Sequence, residues 1–236
     1  EKDIPVCTLK NFPSQIEHTS QWALAIFKSI FEDAANNINK YLEKPEFVAE
    51  LSVDELENVY RDITRHGVND VPMSTNDSII VATKYFNYYF NDMIAELLKQ
   101  FPPDHVTSTG LPFWSGSKRC PKPVEFDPTN PDHVDFAVHF VHLYNRMYGI
   151  DDGVVVDAET VSAKKILSTV TTISLKPYPV NEKFAANDEE EKELQEKKKN
   201  STDEVGDMIR KLNPANMKIK ITGLLSDKFE KDDDSN

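Results

Sequence analysis

Glycine and cysteine are scarce in this chain, at seven and two among 236 residues. Few glycines leave few positions for left-handed turns, which argues against a turn-rich β-barrel and towards helices. Two cysteines cannot staple a fold of this size, so a reducing compartment is the default. No apolar run approaches the roughly 20 residues needed to cross a bilayer, and no membrane partner is expected. A signal-peptide pattern is missing, and the chain begins with Glu1 rather than Met, as a piece excised from a longer polypeptide would. Positive charge is in deficit, with 27 Lys and Arg against 40 Asp and Glu and a net charge of −13. Phosphates of nucleic acid would be repelled, and no basic stripe offsets that. The balance suits basic protein partners or plain solubility, and solubility accounts for most of it. There is also no P-loop or other glycine-rich phosphate cradle, so no cofactor is expected to be held by this segment.

What is present is a large apolar fraction, 39% of residues, enough for one large domain or two small ones. Apolar periodicity points to a mainly α fold, an irregular multi-helix bundle with long loops and one or two short strands. Ser14-Gln15-Ile16-Glu17 reads as a capping box opening a helix to about Phe31. Ile16, Thr19, Ala23, Ile26, Phe27 and Ile30 fall on its inward face, flanked by Trp22 and Phe31. A short helix is expected over Asn36 to Leu42, and another from Pro45 carrying Phe47, Val48 and Leu51. Ser52-Val53-Asp54-Glu55 is a second capping box, followed by an apolar stripe of Leu56, Val59, Tyr60 and Ile63 that ends near His66-Gly67. A loop with Pro72 leads to the strongest helix signal, Asn76 to Phe101, whose aromatic face marks it as central. Pro102-Pro103 stops it.

From there to Pro131 the chain is proline-rich and aperiodic, and long loops in compact domains are usually functional or packed against something. Phe113 and Trp114 there either seal a core, the preferred reading, or dock a neighbouring domain. Asn130-Pro131 opens a helix to about Tyr148, with Val134, Ala137, Val138, Val141, Tyr144 and Tyr148 inward. Asp157 is expected to cap a short helix through Leu167, with Thr169 to Ile173 extended. Lys176-Pro177-Tyr178-Pro179 reads as a linker. Asn187 to Asn200 is almost wholly charged and reads as a solvated helix or a disordered loop, with weak order the preferred reading. A short helix over Thr202 to Leu212 and a strand over Met217 to Leu225 complete the pattern.

Chemistry centres on Pro5-Val6-Cys7-Thr8-Leu9-Lys10-Asn11-Phe12-Pro13. Proline at both ends keeps the backbone from running on as regular helix. Cys7 is therefore a candidate nucleophile on an accessible segment, with Lys10 placed to favour its thiolate; an incidental cysteine is the alternative. A cysteine protease would need a paired histidine. None of His18, His66, His105, His133, His139 and His142 sits in a protease signature. Asp135, His139 and His142 share a helical face and so a conceivable metal site, but surface histidines explain them better and no metal is expected. Cys120, between Arg119 and Pro121, reads as a free, partly buried thiol rather than the partner of Cys7 in a disulfide. Asp232-Asp233-Asp234 lacks the spacing of a calcium loop.

The segment Glu1 to Pro13, with Ile16-Glu17-His18-Thr19 and Gln21-Trp22-Ala23, closely resembles the active-site cysteine segment of ubiquitin-activating enzymes. Pro112-Phe113-Trp114-Ser115-Gly116-Ser117-Lys118-Arg119-Cys120-Pro121 is similar to a loop of the same enzymes. Phe229-Glu230-Lys231-Asp232-Asp233-Asp234-Ser235-Asn236 is similar to the point where their chain re-enters the adenylation domain. The resemblance implies a helical second catalytic-cysteine half-domain inserted in a larger enzyme. Residues 1–13 would be the crossover segment, 14–225 the half-domain and 226–236 the return. Cys7 would be the catalytic nucleophile, accepting the ubiquitin C-terminus from an acyl-adenylate as a thioester. Thr8 and Lys10 would support it, although many members carry arginine where Lys10 stands, so a bidentate contact is not implied. Ubiquitin, ubiquitin-conjugating enzymes and the adenylation domain of the same chain are the implied partners. ATP and magnesium belong to the parent enzyme, and the implied location is cytoplasm and nucleus. The competing reading is a non-catalytic helical adaptor that docks partners through its aromatic loop.

Overall fold

The computed structural model describes residues 12–162, 173–180, 183–199, 207, 212, 217–219 and 223–228. Its first rod is built from α1 (Ile16–Phe27), a π-helical Lys28–Asp33 and α2 (Ala34–Glu43), which run on without a break. Pro45–Glu50 is a 3-10 turn rather than the expected α-helix, and it buries Phe47. Then come α3 (Val53–Asp62) and a second π-helical stretch, Ile63–Asn69. The central rod is α4 (Thr75–Asn87), π-helical Tyr88–Asp92 and α5 (Met93–Gln100). After the long loop follow α6 (Pro131–Tyr148), α7 (Ala158–Ser162) and α8 (Asp188–Lys199). Among the described residues there is no strand, only an isolated antiparallel bridge between Val106 and Pro112.

Local signals explain most boundaries. The Glu55 carboxylate accepts from the Ser52 backbone N–H at 2.8 Å, as the capping box requires, and also from the Ser52 hydroxyl at 2.6 Å. Asn130 accepts from the Asp132 N–H at 3.0 Å, Pro131 supplies the first helical residue, and Gly149 closes α6 in the left-handed region at φ 64°. Asp157 accepts from the Thr160 N–H at 2.8 Å, capping α7 as expected. Residues 188–199 are helical, the solvated-helix form of the two that the charged run allowed. Asn187 accepts from the N–H groups of Glu189 and Glu190, and Glu190 accepts from that of Ala186, so a full cap nucleates the charged run.

The α1 expectation fails in two respects. Gln15 rather than Ser14 precedes the helix, with no side-chain cap, and the Ser14 N–H donates to His18 Nδ1 instead. Ile16 is 72% exposed, and Thr19 and Ala23 are exposed as well. The π-helical stretch causes the second failure. An i→i+5 turn shifts the phase of the helix, so the face that buries Ile30 and Phe31 does not continue back to Ile16.

The core lies where α6 packs along α4 and against the π-helical Lys28–Asp33. Val134, Ala137, Val141, Tyr144 and Tyr148 are buried as expected, joined by Phe140 and Met147. Inside this core runs a polar network. The Asp70 carboxylate meets Lys84 Nζ at 2.7 Å and accepts from the Tyr178 hydroxyl at 2.6 Å. Tyr178 is thus a buried strap, not part of a linker. The Tyr144 hydroxyl gives its one proton to the Asp70 carbonyl at 2.8 Å. His66 Nδ1 lies 3.1 Å from that same hydroxyl oxygen and must therefore be the donor, which leaves Nε2 to accept from Tyr85 at 2.8 Å. The imidazole is neutral and fully partnered.

The C-terminal segment is tied to the same body. Leu224 and Asn39 exchange two hydrogen bonds, the Leu225 N–H donates to the Met147 carbonyl, and the Asp227 N–H donates to that of Phe31.

Burial, helped by Arg65 and Arg61, holds His66 at a pKa of about 3. An unfolded histidine titrates near 6.5, so the unfolded chain takes up this proton first. Its contribution is complete above about pH 6.5 and is lost as pH falls towards 3. Urea unfolding of the wild type between pH 6.5 and 4.5 is expected to show a steeper loss of stability than His66→Gln. The excess slope approaches ~1.4 kcal/mol per pH unit. Parallel slopes would mean that the imidazole is not held neutral.

Candidate functional site

The candidate nucleophile Cys7 and its neighbours Thr8 and Lys10 lie outside the described residues, as does the segment 229–236. What the structure describes is the footing of that segment. Phe12, five residues after Cys7, is 7% exposed and sits in a satellite core with Leu97, Phe101, Phe113 and Phe184. Its ring meets Phe101, Phe113 and Trp114 edge-on, with centroids 6.3, 5.6 and 5.8 Å away. Edge-to-face pairs at such spacings stabilise beyond simple burial. Phe101 and Phe113 stack at 4.5 Å with 4° between planes.

Each wall of this socket is fixed by a polar bond. The Trp114 indole N–H reaches the carbonyls of Phe101 (3.1 Å) and Pro102 (3.0 Å). Pro102-Pro103 had to end α5 for those carbonyls to be free of helix partners. Lys118 Nζ lies 4.7 Å from the Phe12 centroid and 4.4 Å from that of Phe113, and it donates to the Ala186 carbonyl at 2.9 Å. A lysine placed so is attracted by ring faces and holds the 184–186 strap over the socket. The Gln100 side chain brackets Phe184, accepting from its N–H and donating to its carbonyl.

Phe113 and Trp114 therefore seal a core, as the preferred reading of that loop expected. The exposed apolar residues nearby are Val106 and Leu111, at the tip of the loop. Cys120 is free and exposed, not partly buried, because the 119–125 stretch runs along the surface. Asp135, His139 and His142 all face solvent on α6, and no cluster of metal-ligating side chains occurs among the described residues. His18 is half-buried and bonded to Ser14, so it is no free partner for a thiol.

The arrangement holds a short tether. Five peptide units at about 3.6 Å each confine the Cys7 backbone to within about 18 Å of the Phe12 anchor. Downstream, Pro13 leads into α1, which has no fully buried residue and rests on the body through Trp22 against Tyr89 and Phe90. A thiol in such a place has a fixed base and a limited sweep. Reading the sequence did not pick out Phe12, Lys118 or Phe184 as its support. Phe12-Pro13 and the aromatic loop were visible as motifs, but the pairing spans about a hundred residues, and Phe184 carries no local signal.

Three comparisons bear on the whole chain. The sequence model of the family described as "Ubiquitin-activating enzyme, SCCH domain" matches residues 13–236. The chain is 35% identical over 239 residues to the rabbit (Oryctolagus cuniculus) ubiquitin-like modifier-activating enzyme 1, with all of this chain and 22% of the relative covered. It is 36% identical over 241 residues to the Candida albicans ubiquitin-activating enzyme E1 1, covering all of this chain and 23% of that one. The Dictyostelium discoideum ubiquitin-like modifier-activating enzyme 1 is 45% identical over 154 residues, 64% of this chain and 15% of its own. The chain thus spans about a fifth of the length of the first two relatives, and those alignments run through the Cys7 segment.

Truncating Phe12→Ala empties the socket. The expected cost in urea unfolding is about 3 kcal/mol, the usual size for a buried phenylalanine. A cost below about 1 kcal/mol would show that the satellite core does not hold the segment.

Proposed function

The chain belongs to the ubiquitin-activating enzymes, as their SCCH domain, and from that footing we propose that Cys7 is the thiol that carries the modifier. The Cys7 thiolate attacks the C-terminal acyl carbon of a ubiquitin adenylate. A C–S bond forms, the acyl C–O bond to phosphate breaks, and AMP leaves with the electron pair. The thiolate of a ubiquitin-conjugating enzyme then attacks the same carbon and the Cys7 thiolate departs. A thioester suits a carrier because thiolates both attack and leave readily near neutral pH.

Supporting the reading most is one juxtaposition: a proline-bounded cysteine segment, inside the span aligned with whole-chain relatives, follows directly into a socket that clamps its next aromatic residue. The body provides rigidity, and the thiol keeps freedom to meet first an adenylate and then a second thiol. Thr8 and Lys10, one and three residues on in sequence, are the neighbours assigned to tune the thiol or to meet the oxyanion. Residues 1–13 act as crossover, 14–225 as the helical half-domain and 226–236 as the return to the adenylation domain. ATP and magnesium are handled by that adenylation domain, and the setting is cytoplasm and nucleus. The adaptor reading loses its main feature, since Phe113 and Trp114 are engaged within the fold.

In an enzyme that joins this domain to its adenylation domain, ubiquitin, ATP and magnesium are expected to give an adduct that thiols cleave. Cys7→Ser should remove it, leaving at most a thiol-resistant oxyester, while Cys120→Ser should keep it. A thiol-labile adduct of normal yield on the Cys7→Ser enzyme would move the nucleophile elsewhere. The 236-residue chain alone, given the same reagents, is expected to form none.

A further inference from the structure

Between α1 and the central rod lies a cavity of about 430 Å³, a size that takes a small organic molecule. Its walls are largely apolar, with Trp22, Ile26, Tyr89, Phe90 and Ile94 among them. Its floor carries charge. Arg61 and Asp62 line it as a pair, 3.0 Å apart, and Asp62 also accepts from Asn37 at 2.8 Å, so this pair is close to neutral overall. Arg65 lines it too. Its guanidinium lies 4.2 Å from the ring centroid of Tyr178 and 5.0 Å from that of Tyr88. Among the described residues no carboxylate pairs with it. Of the two acids nearest in sequence, Asp62 is paired with Arg61 and Asp70 is taken by Lys84 and Tyr178. His66, which also lines the cavity, is neutral.

An arginine on aromatic faces, without a counter-ion, at the edge of a mostly apolar space is the complement of an amphiphile with one negative charge. The local balance is one positive charge in a chain of net −13. Guanidinium is weakly hydrated and binds carboxylates and sulfonates through paired N–H donors, so it gives up water for them at low cost. We propose that this cavity is a binding site for a small amphiphilic anion, an aryl or alkyl carboxylate or sulfonate, with its apolar body under α1 and its charge on Arg65. The cavity also touches Pro13, Leu97 and Phe184 at the Phe12 socket, but binding there does not depend on the Cys7 chemistry. Occupancy fills the gap beneath α1 and stiffens its seat on Tyr89 and Phe90.

The probes are 8-anilinonaphthalene-1-sulfonate and its uncharged relative N-phenyl-1-naphthylamine, titrated into the full chain under conditions where it melts cooperatively. The sulfonate is expected to bind one-to-one and saturably, at least about tenfold tighter than the uncharged probe. Arg65→Met should weaken the sulfonate by a similar factor and leave the uncharged probe unchanged, with Arg65→Lys between. Ala25→Trp, which places an indole in the cavity from α1, should abolish both. Equal affinity for the two probes, binding that survives Ala25→Trp, or no saturable binding would each overturn the proposal. If Arg65→Met does not fold, the probe comparison and Ala25→Trp decide it on their own.

Discussion

A neutral imidazole is the constraint on which the molecule is assembled. His66 sits on a π-helical turn, donates to Tyr144 of α6 and accepts from Tyr85 of α4. Through the Tyr144 hydroxyl it is linked to Asp70, and through Asp70 to Lys84 and to the strap residue Tyr178. One network thus fixes the turn, two helices and a strap that lies more than a hundred residues away in sequence. Buried polar groups are costly unless every partner is present. Here the partners come from distant stretches, so the network rewards only one way of bringing α4, α6 and the strap together. The buried stripe Leu56, Val59 and Ile63, begun in α3, runs on to His66 in the second π-helical turn, and so the imidazole faces inward.

The central rod transmits that order to the site. α5 is the continuation of α4 beyond Tyr88–Asp92, and its last turn presents Leu97 and Phe101 to Phe12. The socket is built from the end of the most firmly packed rod, the aromatic loop and the 184–186 strap. A segment clamped at one residue and bounded by prolines needs no catalytic dyad to do carrier chemistry. Cysteine is reactive enough when its thiolate is accessible, and on the proposed reading the rest of the enzyme brings acyl donor and acceptor to it in turn. The described body of this chain would then supply a fixed post, with the modifier and its adenylate coming from outside it.

Much of this was legible from the residues in order. Asn76 to Phe101 and Pro131 to Tyr148 announced themselves by period, by Pro102-Pro103 and by Asn130-Pro131, because local capping and local amphipathicity decide long helices. The Ser52–Glu55 cap was equally plain. What stayed hidden was non-local or out of phase. The inward face of α1 was misjudged because a π turn breaks the 3.6 period between Ile16 and Ile30. Tyr178 looked like part of a linker because flanking prolines mark turns, and nothing in sequence says that a phenol there reaches Asp70. Phe184 and Lys118 became visible as supports of the Phe12 segment only once the fold joined them. The family resemblance rested on motifs at the two ends and in the middle of the chain, and the similarity found to whole-chain relatives runs over all three.

The central claim is that the acyl group rests on the sulfur of Cys7. Its most direct measurement is mass mapping of the charged enzyme, quenched at low pH and digested without reductant. The account predicts that the modifier's C-terminal remnant is carried by the peptide holding Cys7 and is released from it by thiol. A remnant on the peptide holding Cys120, or on a lysine and stable to thiol, would contradict it.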